Sequence, residues 1–182
     1  MPAFFLTFLA VGAAMLAGRD ASRVAQLRAS LGWVGPLLVT VLLAALAGAG
    51  LAAWIAQELS PLIRPGVKPL IVGLALALAA GEVLLRSAPK PPREPTRSMG
   101  AITLVLLLGM VTDSSGFIIL SLAIATGEPL LAASGGALGA MVVLAAAIIV
   151  GEDWQALPLK PARITVGCAL ALAAVLIVIS AL

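Results

Sequence analysis

The chain has 182 residues, of which 62% are hydrophobic and 10% are charged, and its formal net charge is +3. Its mean hydropathy of +1.19 exceeds what the core of a soluble protein of this length can bury. The composition therefore excludes a soluble domain and predicts an all-α integral membrane protein whose main partner is the lipid bilayer. With one cysteine, Cys168, and no histidine, it also excludes an intramolecular disulfide and lacks the commonest metal ligand.

Six apolar runs follow one another along the chain, each close to the roughly 20 residues needed to cross the hydrocarbon of a bilayer. They lie at 3–18, 34–57, 67–85, 99–126, 130–151 and 161–182. They predict six transmembrane helices, of which the first is expected to be retained because nothing marks it as a cleaved signal peptide. The proline-rich, charged stretch at 87–98 predicts a linker between the third and fourth helices.

The chain carries two copies of one pattern. Residues 72–80 return at 166–174 with eight of nine residues identical, at a spacing of 94. Two polar pairs keep a spacing of 93 residues: Asp20 with Asp113, and Ser22 with Ser115. We therefore predict an internal duplication, with a first three-helix repeat at 1–86 and a second at 99–182.

Three spans per repeat is an odd number, so the second repeat is expected to be inverted relative to the first. Inverted repeats are a transporter architecture, in which the substrate site lies near mid-bilayer where the repeats meet. Basic residues are concentrated on the side of the linker, which predicts a cytoplasmic linker and both termini outside. They are Arg28, Arg86, Lys90, Arg93, Arg97, Lys160 and Arg163, against Arg64 and Lys68 on the other side. This orientation accounts for the basic linker, so no nucleic-acid partner is expected.

Asp113 is the main candidate for a functional residue, since burying its charge in a long apolar segment costs roughly 2.5–3.5 kcal/mol. The small polar residues around it can interrupt a helix and expose carbonyl groups to a cation, although a purely structural Asp113 bonded to its serines is the alternative. Asp20 is flanked by Arg19 and Arg23, so it is either a second site residue or part of a local ion pair. The further candidate ligands are Thr112, Ser114, Ser115 and Ser22, of which Ser22 and Ser115 can equally serve helix packing. Glu82 is predicted to pair with Arg86, four residues later.

This pattern resembles the Golgi-type manganese/calcium–proton exchanger family, part of the LysE-like superfamily of exporters. That family carries the motif Glu-x-Gly-Asp-(Lys/Arg)-(Ser/Thr) once per repeat. The corresponding stretches are Ala-Gly-Arg-Asp-Ala-Ser at 17–22 and Met-Val-Thr-Asp-Ser-Ser at 110–115. Both keep the motif's aspartate and its final serine, but other residues replace its glutamate, its glycine and its basic residue. The resemblance implies two inverted three-helix repeats and exchange of manganese or calcium for protons. Loss of two of the four acidic ligands lowers the oxygen count for a divalent cation.

The sequence thus predicts a secondary transporter of a cation, divalent if the family substrate is kept, in exchange for protons. Asp113 and Asp20 would bind the ion or metal, and no cofactor is expected. Two alternatives stay open: a transport-inactive family member that acts as a scaffold or partner subunit, and an exporter of another small solute. An enzyme is not expected, because no nucleophile–base arrangement is recognisable and Arg19 beside Asp20 disfavours a shared-proton aspartate pair.

The setting is predicted from composition. The abundance of Ala, Leu, Gly and Arg favours a bacterial protein of the cytoplasmic (inner) membrane, crossing it several times. A homo-oligomer is compatible with the sequence, which does not determine the oligomeric state.

Overall fold

The computed structural model describes residues 2–85, 98–157 and 159–181. Within these ranges every regular element is helical and no strand occurs. The α-helices are α1 (Pro2–Ala17), α2 (Arg19–Leu31), α3 (Gly35–Leu59), α4 (Lys68–Leu85), α5 (Met99–Thr112), α6 (Ser114–Thr126), α7 (Pro129–Val150) and α8 (Leu159–Ala181). Short 3-10 helices lie at Ser60–Leu62, Pro65–Val67 and Gly151–Ala156.

The candidate membrane spans are of two kinds. Four are single apolar stretches long enough to cross a bilayer: Gly35–Leu62, Pro65–Leu85, Pro129–Trp154 and Lys160–Ala181. Two are bent pairs, α1 with α2 at 58° and α5 with α6 at 53°. The described residues therefore hold four candidate spans, or up to six if each bent pair is one span. Within the described residues, the prediction of an all-helical protein with several apolar, membrane-length helices is confirmed. Residues 87–97 of the predicted linker lie outside the described ranges, and so does Arg86, the predicted partner of Glu82.

The outer surface of the bundle is apolar. Large side chains are strongly exposed, for example Leu9 at 65%, Val105 at 63% and Ile179 at 65% of their possible area. Soluble proteins seldom expose apolar patches beyond a few hundred Å². A surface of this kind on several helices at once fits contact with lipid, which supports the multi-pass membrane protein predicted from composition.

Each bent pair is broken at a single residue in extended conformation. Gly18 (φ −78°, ψ −175°) separates α1 from α2, and Asp113 (φ −84°, ψ 169°) separates α5 from α6. The backbone near each break is so close to the preceding turn that two positions have no room for a side chain. A Cβ on Gly18 would lie 2.7 Å from the carbonyl oxygen of Ala14, and a Cβ on Gly116 would collide with the carbonyl oxygen of Met110. The interrupted helices expected from the small residues near Asp113 are therefore present in both halves.

The turn after each bent pair is also built alike. Gly32 ends α2 at φ 72° and Gly127 ends α6 at φ 69°, the left-handed conformation that glycine adopts without strain. A proline follows in the first turn of the next helix, Pro36 in α3 and Pro129 in α7, where its missing N–H is harmless.

α1 packs closely along α7, and the two helices run in the same direction. Gly135 meets the backbone of Phe4, and further along both helices Gly139 meets the backbone of Phe8. A Cβ on Gly139 would lie 2.6 Å from the carbonyl oxygen of Phe8. In lipid, helix association depends on such close backbone approach, which only small residues permit.

α4 and α8 meet at the two copies of the duplicated block. A Cβ on Gly73 would lie 2.5 Å from Val178, and a Cβ on Gly167 would lie 2.5 Å from Leu84. Gly73 and Gly167 are 94 residues apart, and so are Leu84 and Val178. The same contact is therefore made twice with the roles of the two helices exchanged, as in an interface with two-fold symmetry.

We predict that Gly139→Ala destabilises the bundle by about 1–3 kcal/mol, because the added methyl group overlaps a backbone carbonyl that cannot move aside alone. Thermal unfolding in detergent, followed by circular dichroism, measures the effect. Gly50→Ala is the matched control, since a Cβ there meets nothing within 4 Å, and we expect its stability to be unchanged or slightly raised. Equal melting temperatures for the two variants would contradict the close α1–α7 packing.

Candidate functional site

The two helix breaks and the last turns of α4 meet at one group of charged side chains inside the bundle. This charged cluster consists of Arg19, Asp20, Arg23, Glu82 and Asp113. Met110, three residues before Asp113, packs against Gly48 near the middle of the 25-residue α3, whereas Glu82 lies three residues before the end of α4.

Asp20 and Asp113 approach each other across the cluster. A Cβ on Gly109 would lie 3.9 Å from Asp20 Oδ1 and 3.9 Å from Asp113 Oδ2. Arg23 Nη1 donates a hydrogen bond of 3.1 Å to Asp20 Oδ1 and lies 3.9 Å from Asp113 Oδ2. One guanidinium thus lies between two carboxylates from different halves of the chain. Asp20 thus lies close to Asp113 and also forms the local ion pair with a flanking arginine that was considered above.

Glu82 is a cluster member that the sequence analysis did not propose as a site residue. Its Oε2 accepts a hydrogen bond of 3.0 Å from the backbone N–H of Ser114, and its Oε1 lies 3.9 Å from Arg19 Nη2. A carboxylate is favourable there, because the first turn of α6 presents unpaired N–H groups and the positive end of the helix dipole. The signal was available in the sequence, since Glu82 is a carboxylate within the apolar run 67–85.

The predicted oxygen ligands divide into two groups. Ser114 and Ser115 line a small cavity beside Asp113, and Ser115 is only 4% exposed while its Oγ has no hydrogen-bond partner among the described residues. Thr112 is exposed and donates its hydroxyl hydrogen bond, of 2.7 Å, to the Leu108 carbonyl of its own helix. Ser22 is buried in α2 but does not line this cavity. The structure thus brings Ser114 and Ser115 to the cluster, and leaves Thr112 and Ser22 outside the cavity.

The two halves do not place their aspartates equivalently. The breaks at Gly18 and Asp113 are 95 residues apart, as are the glycines that end α2 and α6, Gly32 and Gly127. By this spacing Asp113 corresponds to Gly18, and Asp20 corresponds to Ser115. The spacing of 93 that pairs the aspartates in sequence is therefore two residues out of step with the helix breaks.

The cavity beside Asp113 has a volume of about 10 Å³, which is room for one water molecule at most. With all five groups ionised, the cluster's two arginines and three carboxylates leave a net charge of −1. Among the residues that the structure describes, no three Asp, Glu, Cys or His side chains are grouped to hold a metal ion. In this conformation the site is suited to take up one positive charge, and not to enclose a hydrated divalent cation.

We predict that Glu82→Gln lowers the stability of the protein by about 1 kcal/mol, because it removes the charge that interacts with the start of α6 and with Arg19. Thermal unfolding in detergent measures the change. Glu58→Gln provides the control, since Glu58 is an exposed carboxylate on α3 and its replacement should leave the melting temperature within error. Equal effects of the two substitutions would show that Glu82 does not stabilise this junction.

No family model, curated protein or solved structure matches this chain. The chemistry of the site must therefore be inferred from its own charges, distances and burial. The exchanger family named above stays a prediction from the residues that resemble its motif.

Proposed function

We propose that this protein is a six-span secondary transporter made of two inverted three-helix repeats. It would exchange a small cation for protons at the charged cluster, with Asp113 and Asp20 as the groups that bind the ion. Manganese and calcium are the first candidates, because the sequence resembles the motif of that exchanger family. Alternating access would come from one repeat rocking against the other.

The contacts between helices support the inverted repeats. The bent pair of the first half packs on α7 of the second half, and the bent pair of the second half packs on α3 of the first. α4 and α8 make the reciprocal glycine contacts described above. An exchange of partners between equivalent helices is what a pseudo-two-fold axis between the halves produces.

The observation that carries the functional proposal is the pair of carboxylates, one from each half, held on either side of Arg23 where the broken helices meet. Charged groups inside a membrane bundle are costly and mark ion or proton pathways. Buried ion pairs are weak contributors to stability compared with apolar packing, so stability alone gives little reason to keep five charged groups here. The unpartnered hydroxyl of Ser115 beside the cavity supplies a further oxygen that is free to accept or donate a hydrogen bond to an ion or water.

The charge balance supports exchange with protons. A cluster with a net charge of −1 is neutralised by one proton or by one monovalent cation, so the proton and the cation would compete for the same carboxylates. Calcium takes about six to eight oxygen ligands, and among the described residues no three carboxylates are grouped to hold a metal ion in this conformation. Transport of a divalent cation would therefore require the helix breaks to open and to add backbone carbonyls or water to the two aspartates.

The transport proposal predicts flux of manganese or calcium into proteoliposomes under an imposed pH gradient. Wild-type protein should carry at least one of them. Asp113→Asn should reduce flux to background, and Asp20→Asn should lower it about tenfold or more, since each loses a charged ligand worth at least about 1.5 kcal/mol. Asp153→Asn, at an exposed aspartate, should transport like wild type.

A specific observation also favours the alternative, a transport-inactive subunit. Arg23 already contacts both carboxylates, and the cavity accepts no more than one water molecule. Absence of flux for every cation, with all variants folded like wild type, would reject the transporter proposal and favour this second function.

The six-span proposal also predicts the orientation of the protein in the membrane. In a Cys168→Ser background, Arg64→Cys should react with a membrane-impermeant maleimide added to intact bacterial cells, whereas Lys160→Cys should react only after the cells are opened. Both positions are exposed and lie on opposite sides in the proposed six-span topology. The reverse pattern would reject the proposed orientation, and equal labelling of both from outside would reject the six-span arrangement.

A further inference from the structure

Arg23 lies where an ion would have to bind if both aspartates contacted it. We propose that Arg23 is a tethered cation that competes with the transported cation for Asp20 and Asp113. This inference rests on the proposed transport function and adds to it the residue that fills the site when no cation is bound. It also assigns Arg23 a role that neither the motif resemblance nor the sequence pattern gave it.

The two contacts of Arg23 differ in kind. Its bond to Asp20 joins residues three apart on α2, with Nη1 at 3.1 Å from Oδ1, so it can persist without any movement between helices. Its contact with Asp113, at 3.9 Å, is longer and links α2 to the break between α5 and α6. A cation arriving at Asp113 therefore displaces the guanidinium from the weaker contact first, while Arg23 keeps its bond to Asp20.

Burial supports a movable side chain. The carboxylates are 12% and 14% exposed, whereas the side chain of Arg23 is 36% exposed. The guanidinium thus reaches into the cluster from a partly open side and has space to withdraw. Since a guanidinium does not lose its proton in proteins, its contact with an ionised Asp113 ends only when the Arg23 side chain moves.

This displacement connects binding to movement of the two halves. Without a cation, Arg23 joins the first half to the second through Asp113. A bound cation takes over the charge of Asp113 and breaks that link, which favours a second conformation in which the halves separate more easily, although the Glu82–Ser114 hydrogen bond still joins α4 to α6. A cation that binds the second conformation more tightly than the first shifts the equilibrium toward the second.

Arg19 provides a matched comparison within the same cluster. It lies on the same helix and carries the same charge, but its guanidinium faces Glu82 at 3.9 Å. Arg19→Gln therefore removes an equal charge from the cluster without removing a group that lies between the two aspartates. A general electrostatic effect would make Arg19→Gln and Arg23→Gln equivalent, whereas competition for the ion site separates them.

The experiment measures the affinity of purified protein in lipid nanodiscs for Mn²⁺, from the electron paramagnetic resonance signal of the free ion. Arg23→Gln should bind Mn²⁺ at least about tenfold more tightly than wild type, within the range of 5–150-fold typical of coupling between competing groups. Arg19→Gln should change the affinity by less than about threefold. Adding Asp113→Asn to Arg23→Gln should abolish the gain, because the carboxylate that was released is then missing.

Arg23→Lys keeps the positive charge and provides a second test if Arg23→Gln fails to fold. Its ammonium group can replace the single nitrogen, Nη1, that makes both contacts in wild type, but it is more strongly hydrated than a guanidinium, so the Mn²⁺ affinity of Arg23→Lys should lie between those of wild type and Arg23→Gln. An Arg23→Gln protein that folds but binds Mn²⁺ no more tightly than Arg19→Gln would overturn the inference. An Arg23→Lys protein that binds Mn²⁺ no more tightly than wild type would also overturn the inference.

Flux separates this inference from the proposed function. Wild-type proteoliposomes that transport manganese or calcium, together with an unchanged Mn²⁺ affinity in Arg23→Gln, would leave the transporter intact and reject Arg23 as a competitor. Wild-type proteoliposomes without any flux would reject the transporter itself, whatever the variants bind.

Discussion

A charged side chain inside a bundle surrounded by lipid must find its partners within the protein, because no water is present in the hydrocarbon to solvate it. The arrangement around Asp113 follows from this constraint. Its carboxylate faces Arg23 of α2, while the N-terminus of α6 is satisfied by Glu82 of α4, which in turn lies near Arg19. These interactions tie the two broken helices and α4 to one another, so the position of each helix depends on charges carried by the others.

Close packing of small residues makes this meeting of helices achievable. The glycines of α7 allow the backbone of α1 to approach, and the glycines of the duplicated block allow α4 and α8 to cross. The apolar exterior and the small-residue interior therefore serve different purposes: the exterior suits lipid, and the interior fixes the distances between charged groups.

Much of the architecture was predictable from the chain alone. Composition indicated helices in a membrane, and the small polar residues around Asp113 indicated an interrupted helix. The site was predictable in part: Asp20 and Asp113 do meet, and the ion pair with Arg23 is present. Glu82 was not predicted as a site residue, because a carboxylate followed four residues later by an arginine looks like an ordinary helical pair. The spacing of 93 that pairs the aspartates differs by two residues from the register of the helix breaks, since identical residues reveal a repeat in sequence but not where the backbone bends.

By itself the sequence determined the properties that are local or additive: the preference for lipid, and the helices and their interruptions. The tertiary structure alone decided which charges share one environment. Arg23, and not Arg19, lies between the aspartates; Ser115 faces the cavity while Thr112 bonds to its own helix. The physical reason is that ion pairing and desolvation depend on distances of a few ångströms between helices far apart in sequence. Those distances are set by how glycine surfaces pack and by the angles of the two helix breaks, neither of which can be derived from spacing along the chain.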